Sequence, residues 1–173
     1  MIAPLRGRTP VVPASVFVAP TAVVVGDVVL GEQASVWYGS VLRGDVGPIV
    51  IGDRTNIQDG CILHTTAGRS GLTVGREVTA GHRAVLHGAM IHDRCLIGMG
   101  AIVLDDAEIG EESLIAAGCL VRERMVVPPR SFVAGVPGVL RGPIPSAVLR
   151  RLRESAEHYV KLAREHAEIR GAR

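Results

Sequence analysis

A chain of 173 residues, 47% of them hydrophobic and 21% charged, can build one domain with a real core, yet only Phe17, Trp37, Tyr38, Phe132 and Tyr159 are aromatic. With 21 glycines beside many Val, Ile, Leu and Ala, this composition implies a narrow aliphatic interior and excludes folds that need bulky aromatic layers. Charge is nearly balanced, 19 basic against 17 acidic residues, and the basic excess lies in residues 146–173; no nucleic-acid partner is expected, and Lys161, the sole lysine, leaves nothing for phosphate-loop or Schiff-base chemistry.

In chain order, the segment around Pro4, Arg6 and Arg8 lacks the apolar block and cleavage site of a signal peptide. The uncharged run from Thr9 to Gly26 is long enough to cross a bilayer, but Pro10, Pro13 and Pro20 interrupt it, so no membrane helix is expected. Cys61, Cys95 and Cys119 show no close spacing, which favours a reducing, cytoplasmic location.

From Val18 onward the dominant feature is a six-residue repeat. One ladder of apolar residues runs Val18, Val24, Leu30, Val36, Leu42; another runs Val103, Ile109, Ile115, Val121, Val127, Val133. Between them the count continues with three irregular steps. Leu42 to Ile51 takes nine residues and contains Gly44, Gly47 and Pro48. Leu63 to Val74 takes eleven and contains Gly68 and Gly71; Leu86 to Ile91 takes five. The two long steps read as loops pushed out of a regular coil, the short one as a tightened corner.

Six matches neither the helical period nor the strand period, but it fits a short strand plus a turn repeated around a prism, three sides to a coil. Successive coils then stack at about 4.8 Å. The first and fifth residues of each hexad point inward. Each cysteine falls on a fifth position, four residues after Ile57, Ile91 or Ile115, and is read as packing.

The repeat closes after Val133 in a linker rich in Gly and Pro, which divides the chain into a β-helix domain over 1–142 and a helical segment over 143–173. Ser146 is the expected N-cap, and Leu149, Leu152, Ala156, Tyr159, Val160, Ala163 and Ala167 recur at helical spacing, with Gly171 near the end. The apolar stripe is expected to pack back along the coil.

Four of six histidines lie within 29 residues: His64, His82, His87 and His92. His64 and His87 are both second residues of their hexads, and the steps Leu63, Val74, Ala80, Leu86 make one full coil. The two imidazoles should therefore stack on one side about one strand spacing apart, which suits a shared zinc ion. His82 is a third residue one side earlier and reaches such an ion only from a neighbouring copy. Two ligands from one chain and one from another imply a symmetric oligomer, most naturally a homotrimer. Three nitrogen ligands leave a fourth position for water, as in catalytic zinc sites. The five-residue spacing of His82 and His87 excludes a helical metalloprotease motif. His92 faces another side, and His158 and His166 on the helix are expected to be solvated.

The segments Arg43-Gly44-Asp45, Asn56-Ile57-Gln58-Asp59-Gly60, Leu63-His64, Gly81-His82, Leu86-His87-Gly88 and Ile97-Gly98-Met99-Gly100, in this order, resemble the gamma-class carbonic anhydrase family. The resemblance covers residues 10–140. It implies an all-β, left-handed parallel β-helix with a C-terminal helix, a trimer with metal sites between subunits, and reversible hydration of carbon dioxide to bicarbonate. It assigns His64 and His87 to one subunit and His82 to the next, the partition the repeat count gives. It also implies that Gln58 orients the reacting water, that Arg43 and Asp59 pair across the interface, that Asp45 and Asn56 support the hydrogen-bond network, and that Tyr159 reaches the site from the helix. Asn56 and Asp59 are equally ordinary as turn residues.

The chain departs from the family's efficient members, which carry glutamate proton shuttles after the first ligand and after the Arg-x-Asp motif. Here those places read Thr65-Thr66-Ala67-Gly68-Arg69 and Val46. A missing relay implies slow proton release. Two other functions fit the same scaffold: a catalytically weak member with a structural, metal-binding or thioesterase/hydrolase role, and a hexapeptide acyltransferase, whose coil end Val133-Ala134-Gly135-Val136-Pro137 resembles. Iron(II) or cobalt would suit the same three imidazoles as zinc.

Overall fold

The computed structural model describes residues 1–169. The chain winds as a left-handed parallel β-helix in which nearly all strand pairings are parallel and link one coil to the next. Every ladder residue from Val18 to Val133 is buried, Val18 being the most exposed at 8%. Fifth-position residues such as Ala34, Ser40, Cys61, Ala84, Cys95 and Cys119 are buried beside them, so two inward residues per side fill the prism. Each buried Val, Leu or Ile contributes about 1.5–3 kcal/mol relative to exposure, and no aromatic layer is needed.

The prism has three faces. The histidine face stacks Val41, Ile62, Val85, Ile102 and Leu120 outward in register. The open face stacks Val29, Val50, Thr73, Met90, Glu108 and Val126. The helix face carries Phe17–Val18, Ser35–Val36, Asn56–Ile57, Thr79–Ala80, Leu96–Ile97, Leu114–Ile115 and Ser131–Ala134, one strand per coil.

The corner between open and helix faces is turned by Gln33, Arg54, Glu77, Arg94, Glu112 and Arg130, all with φ between 55° and 58°. This left-handed conformation costs an L-residue roughly 1–2 kcal/mol. Ion pairs between coils offset it: Arg54 to Glu77 at 3.2 Å, and Glu112 between Arg94 at 3.2 Å and Arg130 at 2.8 Å. Glu112 is 3% exposed, so these pairs are less screened than ordinary surface pairs.

The nine-residue step is not a separate loop. Val41–Ile51 is one continuous strand beside Val23–Leu30, and its extra residues form a bulge between the pairs Gly26 with Gly44 and Val28 with Ile49. Gly26, at φ +81°, allows this, because a Cβ there would sit 2.3 Å from the Gly44 carbonyl oxygen. The eleven-residue step does leave the coil, as a loop over residues 65–71, and the five-residue step turns at Gly88 with φ +55°.

The C-terminal helix spans Ser146–Ala167. Ser146 is its first helical residue rather than its cap; extended Pro145 takes the capping position, and no side chain caps this end. Gly171 lies outside the described residues. Leu152, Ala156, Val160 and Ala163 are buried against the helix face from Thr79–Ala80 back to Phe17–Val18.

His158 is exposed, as expected, but His166 is not a solvated histidine. Its Nδ1 lies 3.0 Å from the Tyr38 hydroxyl, and its ring packs 4.9 Å from Trp37 and 6.1 Å from Phe17. The helix returns to the first coils and fits this ring among the chain's few aromatic residues.

Each end of the prism is partly covered. Ile2–Ala3 pairs with Val24 and Val25, and the Met1 ammonium bonds the Ala22 carbonyl; at the other end Val139–Pro143 runs antiparallel to Ser131–Ala134. Among the described residues no helix is long and apolar enough to cross a membrane.

Candidate functional site

Leu63 pairs with Leu86 and His64 with His87 in the parallel register of adjacent strands, so the two imidazoles project together from the histidine face. Their ring centroids are 5.1 Å apart and His64 Nδ1 lies 3.0 Å from His87 Nε2. The remaining nitrogen of each ring meets a carboxylate: His64 Nε2 meets Asp45 Oδ1 at 2.9 Å, and His87 Nδ1 meets Asp105 Oδ2 at 3.1 Å.

An ionised carboxylate only accepts, so N–H groups lie on His64 Nε2 and His87 Nδ1, and when both rings are neutral the two facing nitrogens present lone pairs. Two lone pairs 3.0 Å apart repel unless a cation lies between them. Two nitrogens of one tetrahedral ion, each at about 2.0–2.1 Å, sit roughly 3.3 Å apart, so the pair fits a shared metal with little movement. The two backing carboxylates complete the carboxylate–histidine arrangement that orients metal-binding imidazoles.

Asp45 sits on the bulge of the nine-residue step, beside Arg43, which bonds its other oxygen. Burial pushes the Asp45 carboxyl up, but the hydrogen bonds from His64 and Arg43, with the Arg43 charge, outweigh it and hold the group below its usual range. Asp105 was not foreseen from the sequence. It is 7% exposed, its Oδ1 is buried with no hydrogen-bond partner, and it fits because Gly88 has no side chain: a Cβ there would sit 2.1 Å from Asp105 Oδ1. The signal was available, since Asp105 is the third residue of its hexad one full coil after His87.

His82 lies at the corner after Thr79–Ala80. Its side chain is 44% exposed, and its Nδ1 meets Asp59 Oδ2 at 2.8 Å rather than joining the other two imidazoles. Among the described residues no group of three or more His, Cys, Asp or Glu side chains is gathered to hold a metal ion. Within the single chain, therefore, the structure brings His64 and His87 together and leaves His82 apart, as the repeat count expects.

Gln58 Oε1 accepts from the His82 backbone N–H at 3.2 Å, and Gln58 Nε2 donates to Asn56 Oδ1 at 3.1 Å. Asn56 is fully buried in a strand under the helix rather than serving as a turn residue. Tyr159 packs edge-on against Trp37 at 5.5 Å; burial pushes its phenol up, and so does the negative charge of Asp59. Arg43 and Asp59 have different partners within the chain. His92 pairs with Glu108 at 2.9 Å on another face, outside the site. Burial pushes the Cys61 and Cys95 thiols up to about 12, as suits packing rather than reactive groups.

A coil of six-residue sides carrying two carboxylate-backed imidazoles defines a hexapeptide-repeat β-helix protein. A family model described as bacterial transferase hexapeptide (six repeats) matches residues 88–123. The chain is 42% identical over 149 residues to a probable carbonic anhydrase of Methanocaldococcus jannaschii, covering 86% of this chain and 93% of that protein. It is 39% identical over 165 residues to mitochondrial gamma carbonic anhydrase 2 of Arabidopsis thaliana, with 92% of this chain covered. The chain spans only about three fifths of the plant protein's length, 59%. A Bacillus cereus crystal structure provisionally described as an acetyltransferase superposes with a TM-score of 0.95 at 36% identity over 98% of both chains. The chain belongs to the gamma-class carbonic anhydrase family.

Proposed function

We propose that this protein is a metal-dependent lyase that interconverts carbon dioxide and bicarbonate. The observation that carries this reading is the facing pair of ring nitrogens on His64 and His87, 3.0 Å apart and each ring backed by a carboxylate, an arrangement suited to a shared cation. His64 and His87 would hold the ion from one subunit and His82 from the next. Bound there, a zinc ion would supply the acidifying chemistry that makes hydroxide available near neutral pH for attack on carbon dioxide.

The chain's own residues then have separate tasks. Asp45 and Asp105 fix the tautomers of the ligand pair, and Gln58, anchored on the His82 backbone, orients the reacting water. Tyr159 would reach the site from the helix. The missing glutamates leave proton release to solvent, so turnover is expected to be slow.

A homotrimer is supported by the uncovered apolar column Val41, Ile62, Val85, Ile102 and Leu120 beside the imidazoles. The exposed His82, Asp59 and Arg43, at 44%, 42% and 46% side-chain exposure, are available to a neighbouring copy, with Arg43 and Asp59 pairing across the interface. The free buried cysteines support a cytoplasmic location. Acyl transfer uses the same scaffold but gives no reason for two carboxylate-backed imidazoles to face each other.

The test is stopped-flow hydration on anaerobically purified protein, with metal content and native mass measured on the same sample. Rates should scale with bound metal, zinc rather than iron or cobalt should be recovered, and His64→Ala, His82→Ala and His87→Ala should each abolish activity. Full rates in any of these variants would overturn the reading.

A further inference from the structure

The hydrogen bonds at Gln58 do not end at Asn56. Asn56 Nδ2 lies 2.9 Å from Thr79 Oγ1 and 3.4 Å from the Val78 carbonyl, and Thr79 Oγ1 lies 2.9 Å from Ser155 Oγ on the C-terminal helix. Asn56, Gln58 and Thr79 are 0%, 6% and 5% exposed, so the chain is shielded from solvent as far as the half-buried Ser155.

The direction of the chain follows from its first donor. A backbone N–H only donates, so the Gln58 atom facing His82 is the oxygen. Gln58 Nε2 then points to Asn56 and the atom meeting it is Oδ1; Asn56 Nδ2 is left to face Thr79. The Thr79 hydroxyl accepts from Asn56 and shares a hydrogen bond with the Ser155 hydroxyl, in which either oxygen can donate. Reversing either amide would set oxygen against oxygen or N–H against N–H in a buried site, at the cost of unmet polar groups.

We infer that Ser155 is a positioning residue: through Thr79 and Asn56, the C-terminal helix holds in place the Gln58 amide whose orientation the His82 backbone N–H sets at the candidate active site. Without Ser155 the Thr79 hydroxyl loses its partner on the helix, its rotation is no longer held, and the Asn56–Gln58 pair loses its outer anchor. The helix thus holds the site as well as covering apolar surface. This inference rests on the reading of Gln58 as the group beside the reacting water.

The sequence offers a direct probe, because Asn56 is its sole asparagine and Gln33 and Gln58 are its only glutamines. A proton–nitrogen correlation spectrum of the 15N-labelled full chain should contain three side-chain amide pairs. Gln33 lies beside Val160 and Arg164, near the far end of the same helix, and reports whether the helix stays docked.

In Ser155→Ala the Asn56 and Gln58 pairs should shift and exchange with solvent about fivefold faster, as expected for one lost hydrogen bond, while Gln33 stays in place. Ser155→Thr should restore them. Thr79→Val, which removes the middle link, should have the same effect if Ser155→Ala does not fold. Unmoved Asn56 and Gln58 pairs, or a Gln33 pair that moves with them, would overturn the inference. In metal-loaded protein, kcat for hydration should fall in Ser155→Ala with KM unchanged. A protein that hydrates no carbon dioxide yet shows the amide response would remove the catalytic reading and keep the positional one.

Discussion

From Ile91 to Val133 the prism advances in unbroken sixes, whereas between Leu42 and Ile91 it departs by nine, eleven and five residues. Asp45 belongs to the first departure, His64 opens the second and His87 the third. In the regular coils, inward residues pack and outward ones meet solvent or the next turn. Asp45 lies among residues in excess of the repeat, free of that duty, while His64 and His87 keep regular outward positions at the two coils where the count changes. Asp105, in the first regular coil beyond them, supplies the remaining carboxylate from a rigid neighbour.

The sharpest way to break this comparison is to damage the regular coils. Ile115→Ala, at a fully buried rung, should cost about 2–5 kcal/mol in chemical denaturation while leaving the metal affinity of the folded protein unchanged. A change confined to affinity would refute the division of labour.

Gly88→Ala should do the reverse. A Cβ 2.1 Å from Asp105 Oδ1, at a residue with φ +55°, displaces the carboxylate from His87, and titration with cobalt(II) should show a 10- to 100-fold weaker site, roughly 1.4–2.8 kcal/mol. Unchanged cobalt affinity would show that Asp105 does not support His87.

The smallest effect concerns the cysteines, which ignore the boundary: Cys61 lies among the irregular coils, Cys95 and Cys119 among the regular ones, and all three are buried. Folded Cys61 and Cys95 ionise near 12 instead of near 9, so the unfolded chain releases their protons first as pH rises. Their contribution to stability is complete below about pH 9 and declines from 9 towards 12. At pH 8 a thiol reagent should label neither in the folded protein and both after denaturation. Rapid labelling of Cys61 alone would mean that the irregular coils open independently.

The ladders, the inward fifth position and the stacking of His64 on His87 were legible because a fixed period converts residue number into direction. Counting also kept His82 off their side. Asp105 is reached by the same count, but it stands in a turn, where an aspartate is ordinary and nothing local marks it as a partner of His87. His166 was illegible for a different reason: Tyr38 lies 128 residues away, and nothing near His166 in the sequence says that the helix returns to the first coils. The Ser146 cap failed because Pro145, already extended, took the position. The nine-residue step was read as a loop because its Gly and Pro residues suit a turn equally well, and only the neighbouring strand shows them forming a bulge.

The partial coverings at the two ends have a consequence for solubility. A stack of parallel strands at one spacing is, geometrically, a short length of fibre, and a bare terminal coil would offer its backbone to the next molecule. Here Val139–Pro143 turns back against the chain direction, with Pro143 as its last residue, and at the opposite end Ile2–Ala3 and the Met1 ammonium occupy the first coil's free edge. A reversed strand at one end and the pairing of Ile2–Ala3 at the other thus leave fewer open strand edges for another molecule to continue than the bare architecture would offer.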